Sequence, residues 1–212
     1  MIMSELLDAL ERKFAELSAG LDPWPYPREP FASPREEEYS RVSDPEKYRL
    51  LKARVDAWAE VLREVADEVA VDSSQLPWSQ PGVWLASAAT YRPHQAGAVP
   101  LTLARIRIGE TEAAYGVAIA VGHPAQSWSI VPGCGCDACD DGWLPLMEQL
   151  DNEIVTVLLG GTLLVTDGTT TVRRTREGWG ASSSGEMGDV SGWLDQAEQP
   201  EGRTVVRGTA WV

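Results

Sequence analysis

The sequence predicts an α+β fold in a single domain, with a mostly antiparallel sheet of five to seven strands packed against helices. Three observations lead to this prediction. The chain has 212 residues, a length that suits one domain. A long helical pattern of apolar residues covers about residues 44–70. After residue 82, short apolar runs alternate with turns rich in proline and glycine, as is typical of strands.

The first 42 residues predict a helix followed by an extended segment. Leucines and a phenylalanine recur at helical spacing over residues 4–19, and Gly20 supplies the end of this helix. Prolines then recur and exclude a helix over residues 21–42. We call residues 21–42 the strap, because their aromatic residues predict that the segment lies across the domain surface. The predicted organisation of residues 1–212 is therefore an N-terminal helix (1–20), the strap, and an α+β core (43–212).

The second helix is predicted over about residues 44–70. Ser43 and Glu46 have the spacing of a capping box, in which each side chain bonds the backbone of the other residue. Seven apolar residues follow at alternating spacings of three and four: Tyr48, Leu51, Val55, Trp58, Leu62, Val65 and Val69. Such a helix either lies on a sheet or forms one strand of a coiled-coil dimer. We favour the sheet, because the strand-rich chain that follows needs a covering layer.

The remaining elements are predicted from short local patterns. A further helix is expected over about residues 142–159, ended by two glycines. Asp167 and Gly168 form a strong turn pair for a hairpin, and Gly109–Thr111 stand where another turn is expected. The segment 178–202 is polar and rich in glycine and serine, and Trp179 and Trp193 are expected to hold it on the domain. The predicted strands are 83–91, 101–108, 114–121, 127–131, 162–166, 170–174 and 204–212.

The composition excludes two classes of partner. The chain carries 18 basic and 32 acidic residues, which gives a net charge of −14. Such a chain does not bind nucleic acid through a general basic surface, and it does not dock on anionic membranes. Residues 1–14 include acids and lack the basic and apolar regions of a signal peptide. With three cysteines, an odd number, the sequence predicts a protein of the reducing cytoplasm.

The unusual stretch of the sequence is a cluster of all three cysteines. Cys134, Cys136 and Cys139 lie within six residues, on a glycine-rich turn just before the predicted third helix. Close thiolates can converge on one ion, and Cys-x-x-Cys is a common half of a tetrahedral zinc site. The nearest histidine in the sequence, His123, is a weak candidate for the fourth ligand. A carboxylate of Asp137 or Asp140 is the other candidate.

Other interpretations of these cysteines remain open. They can be reduced residues that pack as small apolar groups. Cys136 and Cys139 can instead form a redox pair near a helix N-terminus, although the neighbouring aspartates raise the pKa of a thiol. The spacing Gly-x-Gly-x-x-Ala also occurs here, but aspartates at this turn would repel a dinucleotide's pyrophosphate. We therefore exclude dinucleotide binding.

Two stretches of the chain resemble a known family. Residues 37–58, which begin Glu-Glu-Tyr-Ser-Arg-Val, and residues 132–140, Pro-Gly-Cys-Gly-Cys-Asp-Ala-Cys-Asp, are similar to an actinobacterial family of unknown function. The resemblance covers most of the chain in order. It implies a cytoplasmic bacterial protein in which the three cysteines belong to the family pattern. It implies no activity, substrate or catalytic residue.

Together these observations predict a non-catalytic cytoplasmic protein that binds a partner protein or a small molecule. The cysteines would fasten the third helix to the sheet, with or without zinc. The alternative is a metal- or thiol-dependent enzyme that uses Cys134, Cys136 and Cys139. The two differ in access, because an enzyme needs an open coordination position or a reachable thiolate, whereas a structural site is closed.

Overall fold

The computed structural model describes residues 2–29, 32–72, 74, 76–78, 85–107, 115–198 and 202–212. Three α-helices and nine strands lie within these ranges, which confirms the α+β class. The helices are α1 (Met3–Leu17), α2 (Arg49–Leu62) and α3 (Trp143–Leu158). The strands are β1 (Ala66–Ala70), β2 (Leu85–Pro93), β3 (Leu101–Ile106), β4 (Gly116–Val121), β5 (Gln126–Val131), β6 (Thr162–Thr166), β7 (Thr170–Arg174), β8 (Trp179–Ser183) and β9 (Thr204–Gly208).

The strands form two antiparallel sheets, where the sequence predicted one sheet of five to seven strands. The first sheet has the order β1-β2-β3-β4-β5, and the second has the order β8-β7-β6-β9. The division falls at α3, which carries the chain away from the free edge of β5, so that β6 begins a new sheet. A single parallel bridge between Ala98 and Thr209 connects the chain next to β9 with the loop before β3.

The predicted helix over 44–70 is wrong at both ends. Pro45–Tyr48 form a 3₁₀ turn, α2 ends at Leu62, and Ala66–Ala70 form β1. β1 pairs antiparallel with β2, from Ala66 opposite Pro93 to Ala70 opposite Ala89. The helical spacing of the apolar residues continues into Ala66–Ala70. Pairing with β2 nevertheless satisfies the backbone N–H and C=O groups that a helix would have satisfied, and it extends the sheet. The apolar side of α2 is buried within the chain, against α1, α3 and β4, so it is not free to form a coiled coil.

Two further predictions are corrected or lie outside the described residues. In the segment 178–202, where no strand was predicted, β8 pairs with β7 at the edge of the second sheet, and Trp193 is buried whereas Trp179 is exposed. The turn predicted at Gly109–Thr111 lies outside the described residues. β6 and β7 have the predicted bounds, on either side of Asp167 and Gly168.

The main core lies between the first sheet and the helices. Leu10 of α1, Trp58 of α2, Ile119 of β4 and Ile154 of α3 are completely buried in it. This packing fixes α3 next to β5, and so it positions the turn that joins the two elements. None of the helices in the described ranges is long and apolar enough to cross a membrane.

Candidate metal site in the cysteine turn

The three cysteines lie in the connection between β5 and α3, residues 132–142, which we call the cysteine turn. Asp137–Cys139 form a 3₁₀ turn, and the backbone N–H of Cys139 donates to the carbonyl of Cys136 at 3.0 Å. This tight turn brings the Cys136 and Cys139 side chains together, and Cys134 approaches them from the preceding residues. The local sequence, with glycines at 133 and 135, allows the backbone to bend this sharply.

The three sulfur atoms converge. All three Sγ atoms lie within 4.8 Å of one another, and the Cys134 and Cys136 Sγ atoms are 3.2 Å apart. With a zinc–sulfur bond of about 2.3 Å, sulfurs on one tetrahedral ion are about 3.8 Å apart. The 3.2 Å between the Cys134 and Cys136 sulfurs is somewhat shorter than this value, and all three sulfurs lie within 4.8 Å of one another. The donor set therefore fits a soft ion such as Zn²⁺ or Cu⁺.

The three thiols differ in burial, and the pKa values of Cys136 and Cys139 are shifted in opposite directions. Cys136 is buried, whereas Cys134 and Cys139 are exposed. Burial by itself raises the pKa of Cys136, but hydrogen bonds from the Cys134 thiol and the Ser40 and Cys139 backbone outweigh it and lower the pKa to about 7. Hydrogen bonds to Cys134 and Cys136 raise the pKa of Cys139 to about 12. The thiolate form is therefore more accessible at Cys136 than at Cys139, and metal binding to these thiols would release protons.

The aspartates of the turn are engaged elsewhere. Asp140 is only 7% exposed, and its carboxylate accepts hydrogen bonds from Lys47 Nζ at 2.6 Å, Trp24 Nε1 at 2.9 Å and the Gly142 backbone at 2.9 Å. Burial favours the neutral form, but these donors outweigh it and lower the pKa of Asp140 below its usual value. Asp140 is therefore a structural carboxylate and not the fourth ligand.

Asp137 has the same role at the other side of the turn. Its carboxylate accepts from the Ser43 backbone at 3.0 Å and from Arg41 Nε at 3.1 Å. These donors outweigh the effect of burial, and they lower the pKa of Asp137. The expected capping box at Ser43 and Glu46 is wrong for this reason: Ser43 binds Asp137, and Glu46 accepts from the Tyr115 hydroxyl at 2.6 Å.

The strap lies across the cysteine turn. Arg28 donates to the backbone carbonyls of Asp137 and, at 3.2 Å, Asp140, and the Trp24 ring meets the Tyr48 ring edge to face at 5.6 Å. The Tyr48 hydroxyl donates to the Gly135 carbonyl at 3.1 Å. Sequence analysis missed these supporting residues. The available signal was charge: the bases of residues 28–47 complement the aspartates of the turn.

The structure does not bring His123 to the cysteines. His123 lies in the turn between β4 and β5, at the opposite end of β5 from Cys134, and β5 spans about 17 Å. Within the described residues, the ligand atoms that gather at the turn are the three cysteine sulfurs. His123 is therefore not among the ligand atoms that gather at the turn, which in the described part of the chain are the three sulfurs.

A cavity of about 410 Å³ opens beside the exposed thiols. Cys134 and Cys139 are part of its wall, whereas Cys136 is not. The first two turns of α3 form the opposite wall, with Pro145, Leu146 and Gln149. The volume lies within the range of small-molecule sites, about 300–1,000 Å³.

Comparison with known proteins gives a family but no activity. Neither the curated proteins nor the solved structures include a significant match to this chain. One family model matches residues 10–212, which include α2, both sheets and the cysteine turn. The chain therefore belongs to the Family of unknown function (DUF6226).

Proposed function

We propose that the protein is a non-catalytic binding domain whose cysteine turn holds a structural zinc ion through Cys134, Cys136 and Cys139. The observation that carries the proposal is the convergence of the three Sγ atoms within 4.8 Å. Three thiolates are a common part of structural zinc sites. Because the turn also binds the strap and the start of α2, a metal there would stabilise the junction of all three segments.

The proposal extends to compartment and partners. Three free cysteines that hold a metal must stay reduced, which supports the cytoplasm as the place where the protein works. The net charge of −14 supports a protein or small-molecule partner over nucleic acid or an anionic membrane. The actinobacterial origin stays a prediction of the resemblance described above.

A metal- or thiol-dependent enzyme is the second candidate, and one observation favours it. Cys134 and Cys139 are exposed and face the cavity, whereas a purely structural site is closed. Catalytic zinc also has three protein ligands and an open fourth position. Against this candidate, no histidine or carboxylate joins the three sulfurs as a further ligand within the described residues.

Metal content tests the proposal directly. Protein without a histidine tag is purified under reducing conditions, and its metals are measured by elemental mass spectrometry. We expect about one zinc per chain in the wild type, and its loss in Cys136→Ser together with a lower melting temperature. Ala138→Ser changes the same 3₁₀ turn without removing a thiol, so it serves as the matched control and should keep its zinc.

Two results would contradict the proposal. The first is wild-type protein without metal, even after reconstitution with Zn²⁺, whose thiols react only after unfolding. The cysteines would then be packing residues. The second is turnover of a substrate that depends on the bound metal, which would establish the enzyme instead.

A further inference from the structure

The cysteine turn offers three sulfur ligands, and the cavity beside it is the place where a fourth can enter. Within the described residues, the group that gathers there contains Cys134, Cys136 and Cys139 and no fourth donor. Zinc in proteins almost always has four ligands. Cys136 is buried, whereas the exposed Cys134 and Cys139 line the cavity, whose wall also includes Tyr48. The open position of a bound ion therefore faces the cavity.

The walls of the cavity restrict what can enter. Pro132, Pro145 and Leu146 give it an apolar lining that suits a short hydrocarbon chain. Asp141 is exposed at the same wall, and its carboxylate makes no hydrogen bond or ion pair with the described residues, unlike the carboxylates of Asp137 and Asp140.

Charge restricts the ligand further. Three thiolates on a divalent ion carry a net charge of about −1, and the Asp141 carboxylate adds another negative charge nearby. A ligand with a free carboxylate or phosphate is therefore repelled, and a ligand with an ammonium group is attracted. Ions that prefer thiolates also prefer sulfur to oxygen at the remaining position.

We propose that the metal of the cysteine turn binds a small aminothiol in this cavity. The thiolate of the ligand takes the fourth coordination position, its methylene groups contact Pro145 and Leu146, and its ammonium group pairs with Asp141. On binding, the thiol proton is released to solvent and any water at the fourth position leaves, so the metal keeps its oxidation state. This inference rests on the proposed metal site, and it makes the site the binding site of the domain.

Cobalt gives a spectroscopic test, because Co²⁺ replaces zinc and its sulfur-to-metal charge-transfer absorption grows with each thiolate. Anaerobic Co²⁺-loaded protein is titrated with cysteamine, 2-mercaptoethanol and 3-mercaptopropionate. We expect the absorption to rise to a four-thiolate level, with cysteamine binding about 5-fold more tightly than 2-mercaptoethanol, a ratio typical of one exposed ion pair. Mercaptopropionate should bind most weakly.

Variants separate the site from a general effect of thiols. Asp141→Asn should bring cysteamine and 2-mercaptoethanol within 2-fold of each other, whereas Asp195→Asn, at an exposed aspartate outside the cavity, should leave the ratio unchanged. Gln149→Trp fills the cavity and should weaken every thiol, whereas Asn152→Trp, one turn further along α3 and outside this cavity, should not.

The outcomes distinguish the two proposals. If Co²⁺ binds and the thiols leave its spectrum unchanged, the aminothiol inference is overturned and the metal site stands. If the thiols bind but Asp141→Asn does not change the ratio, the inference is equally overturned, because the charge argument fails. If the protein takes up neither Co²⁺ nor Zn²⁺, both proposals fail.

Discussion

Replacement of Asp140 by alanine should strongly destabilise the fold even when no metal is bound. Asp140 is 7% exposed and the Lys47 side chain is 10% exposed, with their charged atoms 2.6 Å apart. Removal of one partner of a buried ion pair costs about 3–5 kcal/mol, because the other charge stays buried without compensation. The same change leaves the Trp24 Nε1 and the Gly142 N–H without their acceptor, and this loss overlaps with the first.

The assay is urea denaturation with chelator and reductant present, so that metal binding does not contribute. For a chain of this length, a loss of 3–5 kcal/mol corresponds to a fall of about 6–20 °C in melting temperature. Glu16→Ala removes an exposed ion pair with Lys13 and serves as the control, for which we expect no measurable loss because water screens the pair. A loss below about 1 kcal/mol in Asp140→Ala would refute the reasoning, because Lys47 would then be compensated by water or by Asp137, whose Oδ1 lies 4.0 Å from Lys47 Nζ.

Three further predictions follow from the described contacts. Because the pKa of Asp140 is lowered in the folded state, its contribution to stability is present above about pH 4 and is lost as the pH falls through the native pKa. Asp140→Asn should therefore make the melting temperature depend less on pH in the acid range, as measured by thermal melting at a series of pH values. Arg54→Met should cost about 3 kcal/mol in denaturation, because buried Arg54 pairs with Asp151 at 2.6 Å, and a loss below about 1 kcal/mol would contradict this. Gly160→Ala should cost more than about 2 kcal/mol, since Gly160 has a φ of +66° and a Cβ there would clash with the backbone of Thr209 and Ala210, whereas Gly168→Ala has open space and should cost less by the same measurement.

Sequence patterns predicted those elements whose signals are local. The β6–β7 hairpin was predicted because Asp167 and Gly168 favour one turn, and α1 and α3 were predicted because their apolar residues share one helical face. The end of α2 and the separation into two sheets were not predictable in this way. Both depend on which distant strand pairs with a segment, and β1 meets β2 only across the intervening segment 71–84.

The candidate site shows the same difference between local signals, which the sequence reveals, and contacts between distant segments, which it does not. The spacing of Cys134, Cys136 and Cys139 predicted that their sulfurs converge, because a tight turn brings such residues together. The roles of Asp137 and Asp140 were not predictable, since their partners lie more than 90 residues earlier in the chain. A carboxylate between two cysteines suggests a ligand until its cationic partners are known.

The long separation between the strap and the cysteine turn has a consequence for synthesis of the protein. Trp24 and Asp140 are 116 residues apart, and at about 5–20 residues per second a ribosome needs about 6–23 s to make that interval. During this time α1 and α2 can pack on each other, but the cysteine turn that the strap contacts has not yet been made. The strap and the cysteine turn can therefore meet only after Asp140 has been made, which places their contact late in folding. Because contacts between distant segments slow folding, this closure should be among the slowest events in the chain.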